Sequence, residues 1–498
     1  MRKCRRTVQD QTMDGSMTVF LALSITVLLS LILVLVEGAR INAIRMKTEI
    51  AGNIAVRSVL GEFHQELLRQ YDLYFIDASY GTGSASEENV RLHLQQYMEK
   101  NLDTETSTMF GLSGDFTGTH LESLTIDQTR FAADDSARAL REQVYAYMSA
   151  DPAGSVLSGL LADLDRWPGL MEDGREWEKE QKEARRELRS QMRRAKKDAA
   201  ENHTHEERAE ARQEGDNTAQ EMVSEMEKFR KLPILRQVFG DLAGLSAVSV
   251  DAGVLSKRGI HYGTSLQPAN SHGYPRADEL LFDQYIGEKF GCFTRPLEKG
   301  RLRYQMEYIL SGKDTDTENL EKVAEKLLLI REASNCACLF SDSARTGEAE
   351  MVAAVVSLVL LSPELKDVLK TVLLFSWSYL ESIRDLRTLL DGGRVPLIKS
   401  PENWQTSLTD LLAPSAAIRG GGTGSGLLYT EYLQGFLYLE GRSVKSLRTM
   451  DVMEMDVRMT PGNGNFCMDW CLDAFSMTAS VRSRYGTSVQ LTKCEGYN

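Results

Sequence analysis

The hydrophobic and polar positions change their pattern several times along the chain, and the first pattern is the clearest. Residues 17–36 read MTVFLALSITVLLSLILVLV, without a charge, Gly or Pro. At ~1.5 Å per residue, a helix of this length crosses a hydrocarbon core of ~30 Å. A secretory signal peptide has a shorter apolar region followed by a small-x-small cleavage site. Here the residues VEGAR (36–40) follow instead, so we expect a retained transmembrane helix.

Charges on the two sides of this span set its expected orientation. Residues 1–16 carry four Lys or Arg residues, and residues 37–47 carry three. The positive-inside rule places the more basic end in the cytoplasm. We therefore expect a single-pass protein of the cell membrane, with the lipid bilayer as a partner. Residues 1–16 would form a cytoplasmic tail, and the bulk of the chain would be extracytoplasmic.

The helix is expected to continue beyond the span. Apolar residues recur among small ones from Ile41 to Val59, and Gly52 is the only weak point before Gly61. This spacing is typical of a helix with one apolar face. We predict a helical stalk over residues 37–70 that projects from the membrane.

Two segments after the stalk have clear periodicity. Residues 71–77 alternate and are rich in aromatic side chains, which indicates a strand. Residues 134–149 carry Asp caps and then apolar residues at helical spacing, which indicates an amphipathic helix. Together they predict a first α+β segment over residues 71–165.

Residues 166–232 are dominated by charge. Opposite charges stand four residues apart, as in Glu178 with Lys182, which supports a solvated helix. Apolar heptad positions are too sparse for a coiled coil. We predict a solvated helical hairpin or arm broken near Gly215, and the alternative is a disordered insert.

Residues 233–498 predict a second α+β segment. A helix over 316–333 follows capping residues, and the apolar stretches 351–361 and 368–383 are expected to be buried core helices rather than membrane spans. Short strands are expected over 247–250 and 259–263.

Near the end of the chain, residues 452–459 and 475–486 alternate apolar with polar side chains, the period of an antiparallel strand packed on one face. The predicted fold class is α+β: an N-terminal transmembrane helix continuing as a stalk, and a mixed helix and antiparallel-sheet ectodomain with a long charged helical arm.

Net charge limits the possible partners. The formal charge is −13, from 71 acidic and 58 basic residues. A nucleic-acid groove needs a concentrated basic surface, so we expect no nucleic-acid partner.

Short motifs offer little chemistry. Asp77 with Ser79 resembles part of a cation-binding loop, but a strand-turn with an Asp cap explains it better. Residues 314–318 fit a helix N-cap better than a calcium loop, and the glycines of 420–426 fit a linker better than a phosphate cradle. His203 and His205 lie in the charged region without further ligands nearby. We expect no catalytic site, no cofactor and no metal.

Seven cysteines leave two interpretations open. Cys4 falls in the expected cytoplasmic tail, and six others lie outside it. An even number outside the cytoplasm permits disulfides, and free, partly buried thiols are the alternative. A zinc site formed by the 336/338 and 467/471 pairs is a weaker possibility. The six cysteines are Cys292, Cys336, Cys338, Cys467, Cys471 and Cys494.

The N-terminal region resembles the pseudopilin-like TadE and TadG proteins of Tad/Flp pilus systems. Gly15 opens the apolar span, EGAR (37–40) closes it, and the small-residue helix IAGNIA (50–55) continues it. The prepilin-type cleavage motif has Glu five residues after Gly, whereas Phe20 stands there. The residues expected to form the anchor and its helix-packing face are Met17, Phe20, Leu31, Val36, Glu37, Gly38, Ala39, Arg40 and Ala43.

The remainder resembles an uncharacterised ectodomain family of Gram-positive anaerobes encoded with such pilus systems. Four stretches carry this resemblance: YDLYFIDASYG (71–81), EYILSGKDTDTENL (307–320), WSYLESIRDLRTLLDG (377–392) and RTMDVMEMDVR (448–458).

These resemblances imply a non-enzymatic accessory or structural component of pilus assembly. Its expected partners are pilin-like or pilus-assembly membrane proteins, and a small-molecule ligand is not expected. The alternative function is an extracytoplasmic ligand-binding sensor or enzyme that shares the anchor. A pocket lined by convergent polar groups would favour that alternative.

Overall fold

The computed structural model describes residues 11–103, 117–150, 164–202, 218–264, 266, 276–359, 362–418 and 424–497. The helices are α1 Gln11–Leu60, α2 Gln65–Tyr71, α3 Glu87–Leu102, α4 Asp134–Ala150, α5 Trp167–Asn202, α6 Thr218–Arg230, α7 Ile234–Phe239, α8 Arg276–Lys289, α9 Gln305–Ser311, α10 Asp316–Ser341, α11 Ser343–Val359, α12 Leu365–Leu390, α13 Pro414–Ala417, α14 Tyr429–Leu439 and α15 Arg442–Arg458. The strands are β1 Ile76–Asp77, β2 Thr119–Phe131, β3 Cys471–Ser483 and β4 Ser488–Gly496. Short 3-10 helices occupy Leu255–Lys257, Pro401–Asn403, Leu408–Leu412 and Met468–Trp470.

The α+β fold class is confirmed, and one antiparallel sheet joins distant parts of the chain. Strand β3 lies at its centre, with β2 along one edge and both β1 and β4 along the other. The alternation of 475–486 is therefore that of a strand through Ser483, as predicted. Because β2 precedes the charged region and β3 follows it, the segments 71–165 and 233–498 share a sheet and are not independent units.

The outer half of α1 is not a projecting stalk. From Ala51 to Val59 one face of the helix is buried with α3 and with Phe475 and Met477 of β3. Small side chains allow this close approach: a Cβ added to Gly52 would lie 2.3 Å from Leu491 Cδ2 of β4. The helix ends at Leu60, so residues 61–70 belong to a turn and α2.

Helix α1 and strand β4 run side by side in the same direction. At the end next to the apolar span, the Arg40 guanidinium lies 4.0 Å from the centre of the Tyr485 ring, in the β3–β4 turn. At the far end, the Tyr497 hydroxyl donates to the carbonyl of Leu60. Strand β4 and the sheet therefore extend along the helix axis, and the β3–β4 turn lies next to the end of the apolar span.

The described parts of the charged region, residues 166–202 and 218–232, pack onto the helical body instead of standing in solvent. Its sparse apolar residues Leu188, Met222 and Met226 are buried in the main core. Helices α5 and α6 also join through an ion pair between Arg189 and Glu227 at 2.9 Å. The predicted hairpin is therefore present as two helices with one buried face, and the predicted break near Gly215 lies outside the described residues.

The strand predicted over 452–459 is wrong, because these residues end helix α15. The alternation of apolar and polar residues was misleading because residues of both types are buried in this helix. Met453 and Glu454, for example, are both fully inaccessible to solvent. A helix buried on all sides has no polar face, so its apolar residues show no 3.6-residue period.

Other local predictions fared unevenly. The helices over 316–333 and 368–383 are confirmed. The helix over 134–149 is confirmed from Arg138 onward, because Asp135, Ser136 and Ala137 have left-handed backbone angles. The strands over 247–250 and 259–263 are wrong, since this region makes only the single bridge Ser249 to Thr315 among the described residues.

Two further predictions are only partly met. Of 71–77, only Ile76–Asp77 is a strand. The apolar stretch from Met351 is helical through Val359. This helix is buried on one side only, because Met351 and Leu358 are exposed.

A pair of neighbouring substitutions tests the packing of α1. Ala55 is fully buried in the core that α1 forms with α3 and the sheet, whereas the neighbouring Ile54 is 41% exposed. Ala55→Glu places a charge in an apolar interface, and we expect it to lower the free energy of unfolding by about 3 kcal/mol or more. Ile54→Glu is the control and should change it by less than about 1 kcal/mol. Urea unfolding of the detergent-solubilised chain measures both, and equal effects would mean that α1 is a free stalk.

Candidate functional site: the membrane-proximal junction and the buried polar clusters

The apolar span is exposed along its whole described length. The structure contains one helix long and apolar enough to cross a membrane among the residues it describes, beginning at Met17. Met17 and Phe20 are each 73% exposed, and Leu31 and Val36 are also exposed. Such a continuous apolar surface is costly in water and is favourable in hydrocarbon. The hydroxyls within the span donate to carbonyls of their own helix, as Thr26 does to Ala22 at 2.7 Å.

Polar contacts begin directly after the span. Arg40 donates to the Glu37 carboxylate at 2.7 Å, one helical turn away, and its guanidinium also lies over Tyr485. Lys47 donates to the Thr117 hydroxyl at 3.2 Å, next to the start of β2. These contacts connect the helix to the end of the sheet that lies nearest the apolar span.

Two of the three small residues predicted to form a packing face, Gly38 and Ala39, lie at exposed positions just past the span. A Cβ at Gly38 would meet no atom within 4 Å, and Ala39 is exposed while Ala43 is half-buried. A second helix can approach such a surface closely because no long side chain separates the backbones.

Sequence reasoning missed the acidic residues of α15, which lie inside the protein. Asp451 accepts from the Tyr308 hydroxyl at 2.7 Å and from Ser256. Asp456 accepts from the Tyr71 hydroxyl at 2.8 Å. These bonds join α15 to α2, α9 and the 251–258 loop. The signal was present as acidic residues spaced within a Met- and Val-rich stretch, but it was read as strand alternation.

One group of side chains has the composition of a metal site. Glu454, Cys467 and Asp469 place three potential ligand atoms within 4.8 Å of one another. However, Arg258 donates to Glu454 at 2.6 Å and to Asp469 at 2.7 Å, so a guanidinium already supplies the balancing charge. The arrangement is an arginine-centred ion cluster.

The cysteines in the described part of the chain are all free thiols, so the disulfide interpretation does not hold. Cys336 contacts the Ser378 hydroxyl at 3.1 Å, in the helical body, and it is not part of the group around Cys467 that a metal would need. Burial raises the pKa of Cys292 to about 11 and that of Cys336 to about 12. A thiol that stays protonated is a poor nucleophile and a poor ligand. Cys4 lies outside the described residues.

The smaller motifs take their expected structural roles where they are described. Asp77 accepts from the backbone N–H and the hydroxyl of Ser79, each at 2.8 Å, as an Asp cap does. Thr315 caps α10 by accepting from Glu318 N. His203, His205 and residues 419–423 of the glycine-rich stretch lie outside the described residues.

A second buried cluster joins α10, α12 and the 394–400 loop. Lys399 Nζ lies 2.6 Å from a Glu381 oxygen and 2.9 Å from an Asp385 oxygen. Arg331 donates to the other Asp385 oxygen at 2.9 Å. All four side chains are buried, and the two positive charges balance the two negative ones. The arginine beside Asp385, together with Lys399, lowers the pKa of that carboxyl against the effect of burial.

Every carboxylate oxygen of this cluster has a donor. The second Glu381 oxygen accepts from the backbone and hydroxyl of Thr406 at 2.9 and 2.7 Å. A fully paired cluster holds elements together and leaves no group directed at a substrate. The spacing of Glu381 and Asp385, four apart within an apolar helix, was the available signal in the sequence.

Removal of Lys399 tests how much this cluster stabilises the fold. Lys399→Met leaves two buried carboxylates facing one guanidinium, and we expect the free energy of unfolding to fall by about 3 to 5 kcal/mol. Lys322→Met removes an exposed partner of Glu325 on α10 and should cost less than about 1 kcal/mol. Comparable losses in urea unfolding for the two variants would contradict the assignment.

Burial also shifts the pKa of three other carboxyls upward. Burial raises the pKa of Asp283 and Asp456 to about 6 and that of Glu307 to about 7. One Glu307 oxygen accepts from Phe293 N and the Tyr429 hydroxyl, but the other has no donor among the described residues. Folding therefore favours the protonated form of this carboxyl.

The raised pKa values predict that stability falls as pH rises. A carboxyl whose folded pKa exceeds its unfolded value, near 4, contributes stability that is complete below pH 4 and is lost as pH rises through the folded pKa. For Glu307 the loss between pH 5 and 7.5 is about 2 kcal/mol. The Glu307→Gln side chain cannot ionise. Between pH 5 and 7.5 the unfolding free energy of this variant should therefore fall by about 2 kcal/mol less than that of the wild type. Glu325→Gln, at an exposed position, serves as the control, and identical pH profiles for wild type and Glu307→Gln would refute the prediction.

Comparison with known proteins identifies one matching family model. The model, described as a family of unknown function (DUF5702), matches residues 212–483, more than half of the chain. No curated protein and no solved structure matches the chain.

Proposed function

Because the chain belongs to this family of unknown function, we propose its role from the site: a non-enzymatic, membrane-anchored surface protein that acts by assembly with other membrane proteins. The specific assembly we propose is a Tad/Flp-type pilus system, in which the chain is an accessory or structural component. The resemblance of the span and its closing EGAR residues to TadE and TadG proteins supports this system.

The single observation that carries the proposal is the exposed face of α1. One continuous helix contains the apolar span and then packs one side against the sheet. Its other side presents Gly38 and Ala39 just past the span, followed by the exposed side chains of Met46, Ile50 and Ile54. An apolar face on a helix that leaves the membrane suits a second helix that leaves the same membrane.

The buried polar clusters support a structural role. The carboxylates around Lys399 and Arg258 are paired with cations of the same chain, and the buried thiols are kept protonated. Catalytic groups are usually poised near a substrate with perturbed pKa values in a cleft. Here the perturbed groups lie inside the core, between helices.

The proposal is tested by enlarging the small-residue face. Ala39→Leu with Ala43→Leu should leave membrane insertion unchanged, because both substitutions are apolar, and should reduce co-purification of other membrane proteins at least about tenfold. Ala22→Leu makes the same change within the span and is the matched control. Insertion is measured by resistance of the chain to alkaline extraction, and partners are identified by mass spectrometry after mild detergent extraction.

Two results would count against the proposal. If alkaline buffer extracted the wild-type chain from membranes, residues 17–36 would not be a membrane anchor. If the double variant kept the same partners, or if the wild-type chain purified alone, the proposed assembly role would be wrong. Either result would favour a sensor or an enzyme that shares the anchor.

A further inference from the structure

Helix α9 is short and is attached to the turn that precedes it, residues 290–295. The helix has seven residues, and Tyr304 at its N-cap makes no side-chain capping bond. A helix of this length is not stable alone in water. The backbone N–H of Gly291 donates to the Gln305 side chain at 2.9 Å, and the carbonyl of Gly291 accepts from Met306 N at 2.9 Å. Both segments therefore depend on their neighbours for their structure.

Two buried carboxyls attach α9 to the elements around it. Glu307 of α9 accepts from Phe293 N of the turn at 2.8 Å and from the Tyr429 hydroxyl of α14 at 2.7 Å. Asp456 of α15 accepts from the side-chain amide of Gln305 at 2.7 Å. These bonds join α9 to the turn, to α14 and to α15.

The donors to these two carboxyls in the described part of the chain are neutral. Glu307 receives a backbone N–H and a hydroxyl, and Asp456 receives a backbone N–H, an amide and a hydroxyl. One Glu307 oxygen has no donor at all among the described residues. By contrast, Asp385 and Glu454 are each bound directly by an arginine. Ionisation of Glu307 or Asp456 therefore places a charge in the core without a cation in contact, which is costly.

The side chains that face Glu307 and Asp456 do not supply a cation. The titratable groups around Glu307 are thiol, phenol or carboxyl groups: Cys292, Tyr304, Asp316 and Tyr429. Those around Asp456 are phenols, Tyr71 and, behind it, Tyr285. Because Asp316 is itself acidic, ionisation of Glu307 also adds a like charge beside it.

The arginines of the two segments are directed elsewhere. The Arg301 guanidinium lies 3.2 Å from Asp251, although its backbone N–H binds Asp456. Arg295 donates to the carbonyl of Phe290 at 3.2 Å, and Arg303 is exposed.

We propose that α9 and the 290–295 turn form a pH-sensitive latch, which is closed while Glu307 and Asp456 are neutral and opens locally when they ionise. On opening, the turn separates from α9 and water reaches Cys292, which is fully buried in the closed state. The latch goes beyond the proposed assembly role and does not depend on the membrane anchor.

The pH at which the latch opens follows from the two carboxyls. Burial raises the pKa of Glu307 to about 7 and that of Asp456 to about 6. A carboxyl whose folded pKa is raised contributes stability that is present below its unfolded pKa, near 4, and is lost as pH rises through the folded pKa. The latch is therefore closed at about pH 5.5 and open more often at about pH 8.

Hydrogen exchange of the full chain in detergent tests the latch at pH 5.5 and 8. After correction for the intrinsic exchange rate, residues 290–311 should lose protection at least about tenfold at the higher pH. Residues 380–390, whose carboxylates are bound by Lys399 and Arg331, should keep theirs. Alkylation of Cys292 by iodoacetamide, measured relative to the exposed Cys494, should rise together with the exchange of 290–311.

Substitutions separate ionisation from loss of packing. Glu307→Gln keeps the size of the side chain but cannot ionise, and should reduce the change in protection at least about fivefold. Glu325→Gln, at an exposed position on α10, should keep the full change. Tyr429→Phe removes a donor that favours the ionised form of Glu307, so the latch should open at a higher pH than in the wild type.

Three results would overturn the latch. The first is equal protection of residues 290–311 at the two pH values. The second is a full pH response in Glu307→Gln or, if that variant does not fold, an unshifted response in Tyr429→Phe. The third is an equal loss of protection in residues 380–390, which would mean global unfolding. None of these results bears on the assembly role, which is tested through α1.

Discussion

The packing of α1 against the sheet is the interaction on which the rest of the structure depends. The same helix is apolar on all sides from Met17 to Val36, whereas from Ala51 to Val59 only one of its sides is buried in the core. Because no turn separates the two parts, the direction of the span determines the direction of the sheet. The β3–β4 turn also takes its position from this helix, because Arg40 of α1 lies against Tyr485.

Burial of charge imposes the second constraint. A charged side chain loses its hydration in the core and must be paired there. In this protein the pairs are long-range: Arg258 meets Glu454, and Lys399 meets Glu381. Such pairs attach loops without regular structure to the helices. For Glu307, which has no cation partner among the described residues, burial raises the pKa to about 7 and so favours the neutral form.

Sequence patterns predicted the parts of the fold in which polarity and burial agree. The span 17–36 and the alternating strand 475–486 each have one simple environment, so their periods are readable. Residues 452–459 failed because polar and apolar side chains are buried alike, which removes the contrast that periodicity needs. The charged helix α5 was read as solvated because only a few of its residues, such as Leu188, are apolar and face the core. The candidate site was also predictable only in part. Glu37 and Arg40 stand three residues apart on a helix, so their pairing follows from local geometry. The contact of Arg40 with Tyr485 instead joins opposite ends of the chain and depends on strand register, which the residue pattern does not encode.

The relation between the matched family region and the sheet bears on what the anchor is. Residues 212–483 contain the central strand β3 but neither β2, β1 nor α1, which cover it. A strand without its neighbours exposes unpaired backbone groups on both edges. In this chain those groups are paired by β2, β1 and β4, and residues of α1 and α3 cover the apolar face of β3. The N-terminal region is therefore an integral part of the folded unit, because α1, β1 and β2 complete the sheet and the core that β3 begins.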